Sequence, residues 1–160
     1  MISQITSFKK DKRFLSNFYE VEIHYKGVTY KTLEHAYQAQ KAMYLDEMSW
    51  VANAATPAEA KYRGNKVHMV KDWEFPFPNP LPDLLVVCVK DAVMYELLEI
   101  KFSIPELKKK LLETGNAELI EGNYHHDNYY GQCFCPKCFN KIKWHNKLGR
   151  MQMVIRERMK

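Results

Sequence analysis

The sequence predicts an α+β fold that is mostly α-helical: a single compact multihelical domain with a small β-hairpin and one or two short strands. Three observations carry this. Helix-start and helix-stop signals recur along the chain, strict apolar–polar alternation is confined to one early segment, and strands and helices do not alternate as βαβ units do. A length of 160 residues fits one domain.

Residues 1–13 offer a short strand at most and then a basic patch of Lys9, Lys10, Lys12 and Arg13, followed by Phe14-Leu15-Ser16-Asn17-Phe18-Tyr19. Val21–Tyr25 alternates, Lys26-Gly27 supplies a turn and Val28–Tyr30 returns, which predicts a hairpin. The hairpin runs into Thr32–Met43, a helix with Thr32 as cap and no Gly or Pro inside it, and brings the Phe14–Tyr19 loop beside Glu34. Helices follow over Asp46–Ala54 and Pro57–Arg63. The second opens on the capping box Thr56-Pro57-Ala58-Glu59 and stops at Gly64. Pro76, Pro78, Pro80 and Pro82 exclude regular structure from Phe75–Asp83. Asp83 caps a long helix, Leu84–Phe102, whose apolar face includes Leu84, Val87, Cys88, Met94, Leu97 and Leu98. Pro105–Thr114 is a helix stopped by Gly115, Ala117–Glu121 a short strand, Gly122–His145 irregular, and Leu148–Met159 a closing helix.

Composition narrows the function classes. Hydrophobic residues make up 46% and charged residues 27%, as in a water-soluble domain, and 13% aromatics with ten Tyr suit walls for planar ligands. The net charge of +5 permits an anionic partner but is too small for a strong nucleic-acid signature. No apolar segment accompanies the basic residues near the start, and the longest apolar run, Leu84–Val89, is far too short for a bilayer, so a cytoplasmic protein with no membrane association is expected. Four cysteines in that setting point to reduced thiols or metal ligands. Gly-x-Gly-x-x-Gly and P-loop motifs are missing, which argues against a Rossmann fold.

Four groups could carry chemistry. On the Thr32–Met43 helix, Glu34, Gln38 and Lys41 fall within an arc of roughly 60° on an otherwise apolar surface. A buried carboxyl there can serve as acid or base, and a desolvated Lys can attack a carbonyl as a free amine. Asp127 lies in the turn-rich His125–Gly131, where it either forms a turn or enters a cleft. Asn146–Arg150 opens the last helix, with Asn146 as a plain cap or with free N–H groups suited to an anion such as phosphate. Cys133, Cys135 and Cys138 are three soft ligands for a structural zinc, with His125, His126 or His145 as the fourth, or else free thiols. Cys88, on an apolar helix face, is read as an inert core thiol.

Phe14-Leu-Ser-Asn-Phe18 followed by Glu34-His-Ala-Tyr-Gln38-Ala-Gln-Lys41 resembles the opening signature of the NADAR (NAD- and ADP-ribose-associated) family. The likeness continues through Thr56–Ala60, Gly64, Asp72-Trp73, Lys101-Phe102, Leu112–Gly115, Leu119–Glu121, Asp127–Gly131 and Asn146–Gly149 to Ile155-Arg156, covering nearly the whole chain in one order.

The resemblance implies hydrolysis of an N-glycosidic bond at ribose C1, with no cofactor required. The substrate would be a small nucleotide-like molecule, a ribosylamino-pyrimidine phosphate of the riboflavin pathway, or ADP-ribosylated guanine, free or in nucleic acid. Glu34 would be acid or base, Lys41 a Schiff-base nucleophile and Asp127 an assistant; in a second route Glu34 and Asp127 flank an oxocarbenium-like centre and activate water. Arg13, Asn17, Gln38 and Asn146 would hold ribose hydroxyls and phosphate, and Phe18, Trp73, Tyr130 and Gly149 would complete the substrate site. The chain departs from the family pattern with Tyr130 before Gly131, where Trp is usual, and with its Pro-rich 75–82 segment. The rival is a non-catalytic module that binds ADP-ribose or modified nucleic acid. It has no need of Glu34 and Lys41 on one helical edge.

Overall fold

A computed structural model describes residues 3–81 and 85–160. Among them are six α-helices, one 3-10 helix and eight short strands, an α+β architecture dominated by helix. The chain divides into two compact units, Asn17–Lys101 and Met1–Ser16 with Phe102–Lys160. Among the described residues, no helix is long and apolar enough to cross a membrane.

The Asn17–Lys101 unit begins with an antiparallel hairpin of β2 (Glu20–Tyr25) and β3 (Val28–Thr32); β1 belongs to the other unit. Lys26 and Gly27 both have positive φ, 48° and 78°, the backbone that a tight two-residue hairpin turn requires. Ile23, Tyr25 and Tyr30 turn inward and are buried. The chain then enters α1 (Leu33–Gln40) with Thr32 as N-cap, its Oγ1 accepting from the His35 backbone N–H at 3.2 Å. His35 is fully buried. Its Nε2 faces the Ala54 carbonyl at 3.0 Å and so carries the proton, which leaves Nδ1 to accept from the Thr32 hydroxyl at 2.8 Å. Burial holds this imidazole below its ordinary pKa and so keeps it neutral.

α1 is shorter than its sequence pattern. It tightens at its end, where Lys41 and Ala42 donate to carbonyls three residues back, and Met43 then pairs with the His68 carbonyl at 2.7 Å. α2 (Leu45–Ala52) and α3 (Pro57–Gly64) pack against α1. The predicted capping box closes α3: Thr56 Oγ1 accepts from Glu59 N–H at 3.1 Å, while the Glu59 carboxylate reaches back to Ala55 N–H at 2.7 Å.

The segment after Trp73 corrects two expectations. Pro76–Leu81 is a strand, β4, paired antiparallel with β5 (Val86–Cys88). Prolines at every second position place their missing N–H groups along one edge, and a two-stranded ribbon needs donors on the other edge only. The helix expected from Leu84 starts at Val89, as α4 (Val89–Ser103), because the β-branched Val86 and Val87 extend into the ribbon. The carboxylate of Asp91 accepts from Val87 N–H at 3.2 Å at this junction. Asp83, the expected cap, and Leu84 lie outside the described residues.

The other unit contains β1 (Gln4–Ile5), the 3-10 helix Lys10–Leu15, α5 (Pro105–Glu113), β6 (Glu118–Leu119), β7 (Gly122–Asn123), β8 (Gln132–Cys133) and α6 (Lys147–Arg158). β1 pairs with β6 and β7 with β8, both in parallel. Leu107, Leu111, Leu119, Met151 and Ile155 are buried where α6 packs on β6 and α5 packs on α6. Arg156 crosses from α6 to the Ala117 carbonyl at 2.9 Å and Thr114 Oγ1 at 2.8 Å.

Gly149 is what lets α6 approach β6. A Cβ there would lie 2.1 Å from the Leu119 carbonyl oxygen and within 2.8 Å of the Asn146 amide. Helix propensity alone favours Ala over Gly by about 1 kcal/mol, but the backbone oxygen cannot yield. Gly149→Ala is therefore expected to destabilise the protein by about 1–3 kcal/mol in thermal or urea unfolding. An unchanged or raised melting temperature would refute the close contact.

Candidate active site

Seven of the eight residues of α1 are buried, Glu34 and Gln38 among them. A carboxylate and an amide held this way need partners. Gln38 Nε2 donates to Glu34 Oε1 at 2.7 Å, the i,i+4 spacing that puts both on one edge of the helix. The Glu34 backbone N–H donates to the Asn17 carbonyl at 3.1 Å, so Asn17 lies against the first turn of α1 as the sequence suggested. Glu34 is 7% exposed.

Lys41 follows the last turn of α1 with right-handed helical dihedrals, which carries it along the same edge. Burial pushes its amine below the ordinary Lys value. Glu34 is the largest influence acting the other way, with Glu74 assisting it, and Lys61 and Lys90 add to the lowering. Lys41 Nζ is 5.9 Å from the centroid of the Tyr37 ring and donates a long hydrogen bond to Asn65 Oδ1 at 3.4 Å. The Tyr37 ring in turn rests on Trp73, with centroids 5.4 Å apart and planes at 55°. Trp73 is only 2% exposed, so it backs Tyr37 and presents no open face of its own. Phe18, in contrast, is 40% exposed.

Among the described residues, four buried side-chain atoms have no hydrogen-bond partner: Asn17 Oδ1 and Gln38 Oε1 here, and Gln152 Oε1 and Arg156 Nε in the other unit. Each such acceptor costs about 1–3 kcal/mol, a cost that a ligand hydroxyl or amino group would remove. Gln38 is held in place by Gly64, because a Cβ at Gly64 would meet Gln38 Oε1 at 2.1 Å and Gln38 Cβ at 2.9 Å. A cleft of about 410 Å³ lined by Lys31, His35 and Pro57 is formed by other residues and includes none of the catalytic candidates.

The remaining candidates belong to the other unit, and several have structural duties. Asp127 Oδ1 accepts from Tyr129 N–H at 2.9 Å and Tyr130 N–H at 3.0 Å, so the turn reading of this residue is realised. Tyr130 stacks edge-on against Tyr129 at 5.0 Å. The expected anion cradle at the start of α6 is filled by protein: the N–H groups of His145, Asn146, Lys147 and Leu148 donate to the carbonyls of Asn128, Gly131, Tyr129 and Tyr130. Asn146 is neither a free ligand nor a side-chain cap of α6. Its φ is 48°, its Oδ1 accepts from Glu121 N–H at 3.0 Å and its Nδ2 donates to the Leu119 carbonyl at 2.8 Å. Gly149 serves the packing of α6 described above. Arg13 is exposed on the 3-10 helix.

Cys133, Cys135 and Cys138 converge with His126, and their four donor atoms lie within 4.8 Å of one another. Cys88 lies in the other unit, its thiol donating to Asp91 at 3.5 Å.

Two lysines entered the sequence reading only within longer stretches, not as site residues. Lys101 is completely buried in α4, its pKa pushed down to about 7 by that burial, with Nζ 5.7 Å from the centroid of the Tyr19 ring. The signal was its position beside Leu97, Leu98 and Phe102, where a cation interrupts an apolar face. Lys147 is 7% exposed and donates to Tyr129 Oη at 3.0 Å.

The chain is similar to known proteins over nearly its whole length. Residues 6–160 match the model of the NADAR domain. The N-glycosidase YbiA of Shigella boydii is 31% identical over 148 residues, 90% of this chain and 79% of that protein. The riboflavin biosynthesis protein VVA0006 of Vibrio vulnificus is 30% identical over 148 residues, 91% of this chain but 35% of that longer protein. The solution structure of Escherichia coli YbiA superposes with a TM-score of 0.74 at 28% identity, covering 99% of this chain and 86% of that one.

Gly64 offers a direct probe of the Gln38–Glu34 edge. Gly64→Ala is expected to lower stability by about 1–3 kcal/mol although Ala is the better helix former. Adding Gln38→Ala to that variant should recover part of the loss, measured by urea unfolding as a double-mutant cycle. Strict additivity of the two substitutions would show that they do not meet.

Proposed function

The chain belongs to the NADAR family and is an N-glycosidase, and from that premise we propose that it cleaves the bond between ribose C1 and a base nitrogen in a nucleotide-like substrate, using Glu34 and Lys41. The observation that supports this most is the placing of a buried Glu34 and a half-buried Lys41 along one helical edge. Glu34 accepts from Gln38, and Lys41 is a partly desolvated amine whose pKa Glu34 influences. A non-catalytic binder would not require an amine so placed.

Glu34, in its protonated form, donates to the ribose ring oxygen. The C1–ring-oxygen bond opens and the base nitrogen's lone pair forms an imine at C1. Lys41, as the neutral amine, attacks C1, and proton transfer to the departing nitrogen expels the base and leaves a lysine imine. Water then hydrolyses that imine, returning the free amine and an open-chain ribose phosphate. Lowering the Lys41 pKa raises the fraction of amine available for attack. The orphaned oxygens of Asn17 and Gln38 are acceptors to which ribose hydroxyls would donate. Asp127 has one carboxylate oxygen engaged by its own turn, and no step is assigned to it.

For the substrate, the name of the Vibrio relative favours a ribosylamino-pyrimidine phosphate of riboflavin biosynthesis. ADP-ribosylated guanine presents the same C1–N bond and is the second candidate.

Release of free base from each substrate, followed chromatographically, tests the proposal. Glu34→Gln and Lys41→Met should each lower kcat by about 100-fold or more, with the fold retained by circular dichroism. Borohydride should trap a substrate-derived adduct on the unmutated protein and none on Lys41→Met. Full turnover by Lys41→Met would exclude the covalent route, and full turnover by Glu34→Gln would exclude the acid–base assignment.

A further inference from the structure

We infer that His126, Cys133, Cys135 and Cys138 bind a single zinc ion that staples the 123–145 segment. His126 Nδ1 lies 3.2 Å from Cys138 Sγ, 3.4 Å from Cys135 Sγ and 4.0 Å from Cys133 Sγ. A tetrahedral zinc with Zn–S of about 2.3 Å and Zn–N of about 2.0–2.1 Å sets N···S edges of about 3.5 Å and S···S edges of about 3.8 Å. The three measured separations bracket the first value, and the 4.8 Å limit on the whole set accommodates the second. Hydrogen bonding alone does not explain this arrangement, because an imidazole nitrogen carries one proton or one lone pair and would settle on one sulfur.

The backbone is also shaped for an ion. Cys138 and Phe139 both donate to the Cys135 carbonyl, at 3.0 and 2.9 Å, which folds Cys135-Pro136-Lys137-Cys138 into a tight knuckle. His126 has φ of 69°, a conformation unfavourable for a residue with a Cβ, and it turns the ring toward the three thiols. Cys133, Cys135 and Cys138 are buried although Phe139, Ile142 and Trp144 around them stay half exposed. Such a segment has little apolar core, and a metal ion supplies the missing cohesion. Three soft thiolates and an imidazole select zinc over magnesium or calcium. His125 and His145, the other sequence candidates, take no part in the cluster.

The full chain, purified under reducing conditions without chelator, should contain about one zinc per molecule by elemental analysis. After removal of the metal, cobalt(II) titration should give thiolate charge-transfer absorption and the visible bands of a tetrahedral sulfur-rich site. His126→Ala, Cys135→Ser and Cys138→Ser should each lose the ion, whereas His125→Ala, His145→Ala and Cys88→Ser keep it. The cobalt spectrum of the unmutated chain is the readout that survives if a ligand variant fails to fold. Absence of zinc and of the cobalt spectrum, iron in place of zinc, or loss of the ion in His145→Ala with retention in His126→Ala would each overturn the assignment.

Discussion

Burying a carboxyl in an apolar helix is costly in free energy, and α1 meets that cost at Glu34 with a few close contacts. The Glu34 carboxylate is satisfied from within its own helix by Gln38, and the main chain at Glu34 is satisfied by Asn17. Gln38 holds its position because Gly64 of α3 has no side chain to displace it. His35, neutral and bonded to both Thr32 and Ala54, fixes the start of α1 against the chain that follows α2. The same helix is thus a core element of its unit and holds the candidate residues Glu34 and Gln38 on one edge.

How much of this could be read from the residues depended on the range of the forces involved. The α1 cap, the α3 capping box and the Lys26-Gly27 turn are decided by neighbours within four positions, and all were legible. β4 was not, because whether a proline is tolerated in a strand depends on which edge has a partner. The start of α4 was misread for a related reason: Val86 and Val87 suit a buried helix or a strand equally well until the ribbon partner is known. At the site, the Glu34–Gln38 contact followed from helical spacing. The complete burial of Lys101 did not, since a single Lys in an apolar helix does not show how far it is enclosed.

The motif residues of the other unit separate chemistry from architecture. Asn146 and Gly149 stand in the stretch Asn-Lys-Leu-Gly that supports the family likeness, yet both hold β6 to α6. The N–H groups that would have made an anion site are engaged by the 128–131 loop, which also contains the turn of Asp127. A short motif can therefore mark a family through its packing requirements as readily as through its reaction. Buried side-chain atoms without hydrogen-bond partners occur in both units, Gln152 Oε1 and Arg156 Nε in this one and Asn17 Oδ1 and Gln38 Oε1 beside α1, and only the latter two lie among the candidate site residues.

The protonation behaviour of Lys41 tests the central claim most directly. Its side-chain Cε resonance, assigned through Lys41→Met and followed by NMR against pH, should titrate below the ordinary value of 10.5. In Glu34→Gln the midpoint should fall further, because the carboxylate is the strongest influence favouring the ammonium. A midpoint at or above 10.5 in the unmutated protein, unmoved by Glu34→Gln, would contradict a shared, sheltered edge for the two groups.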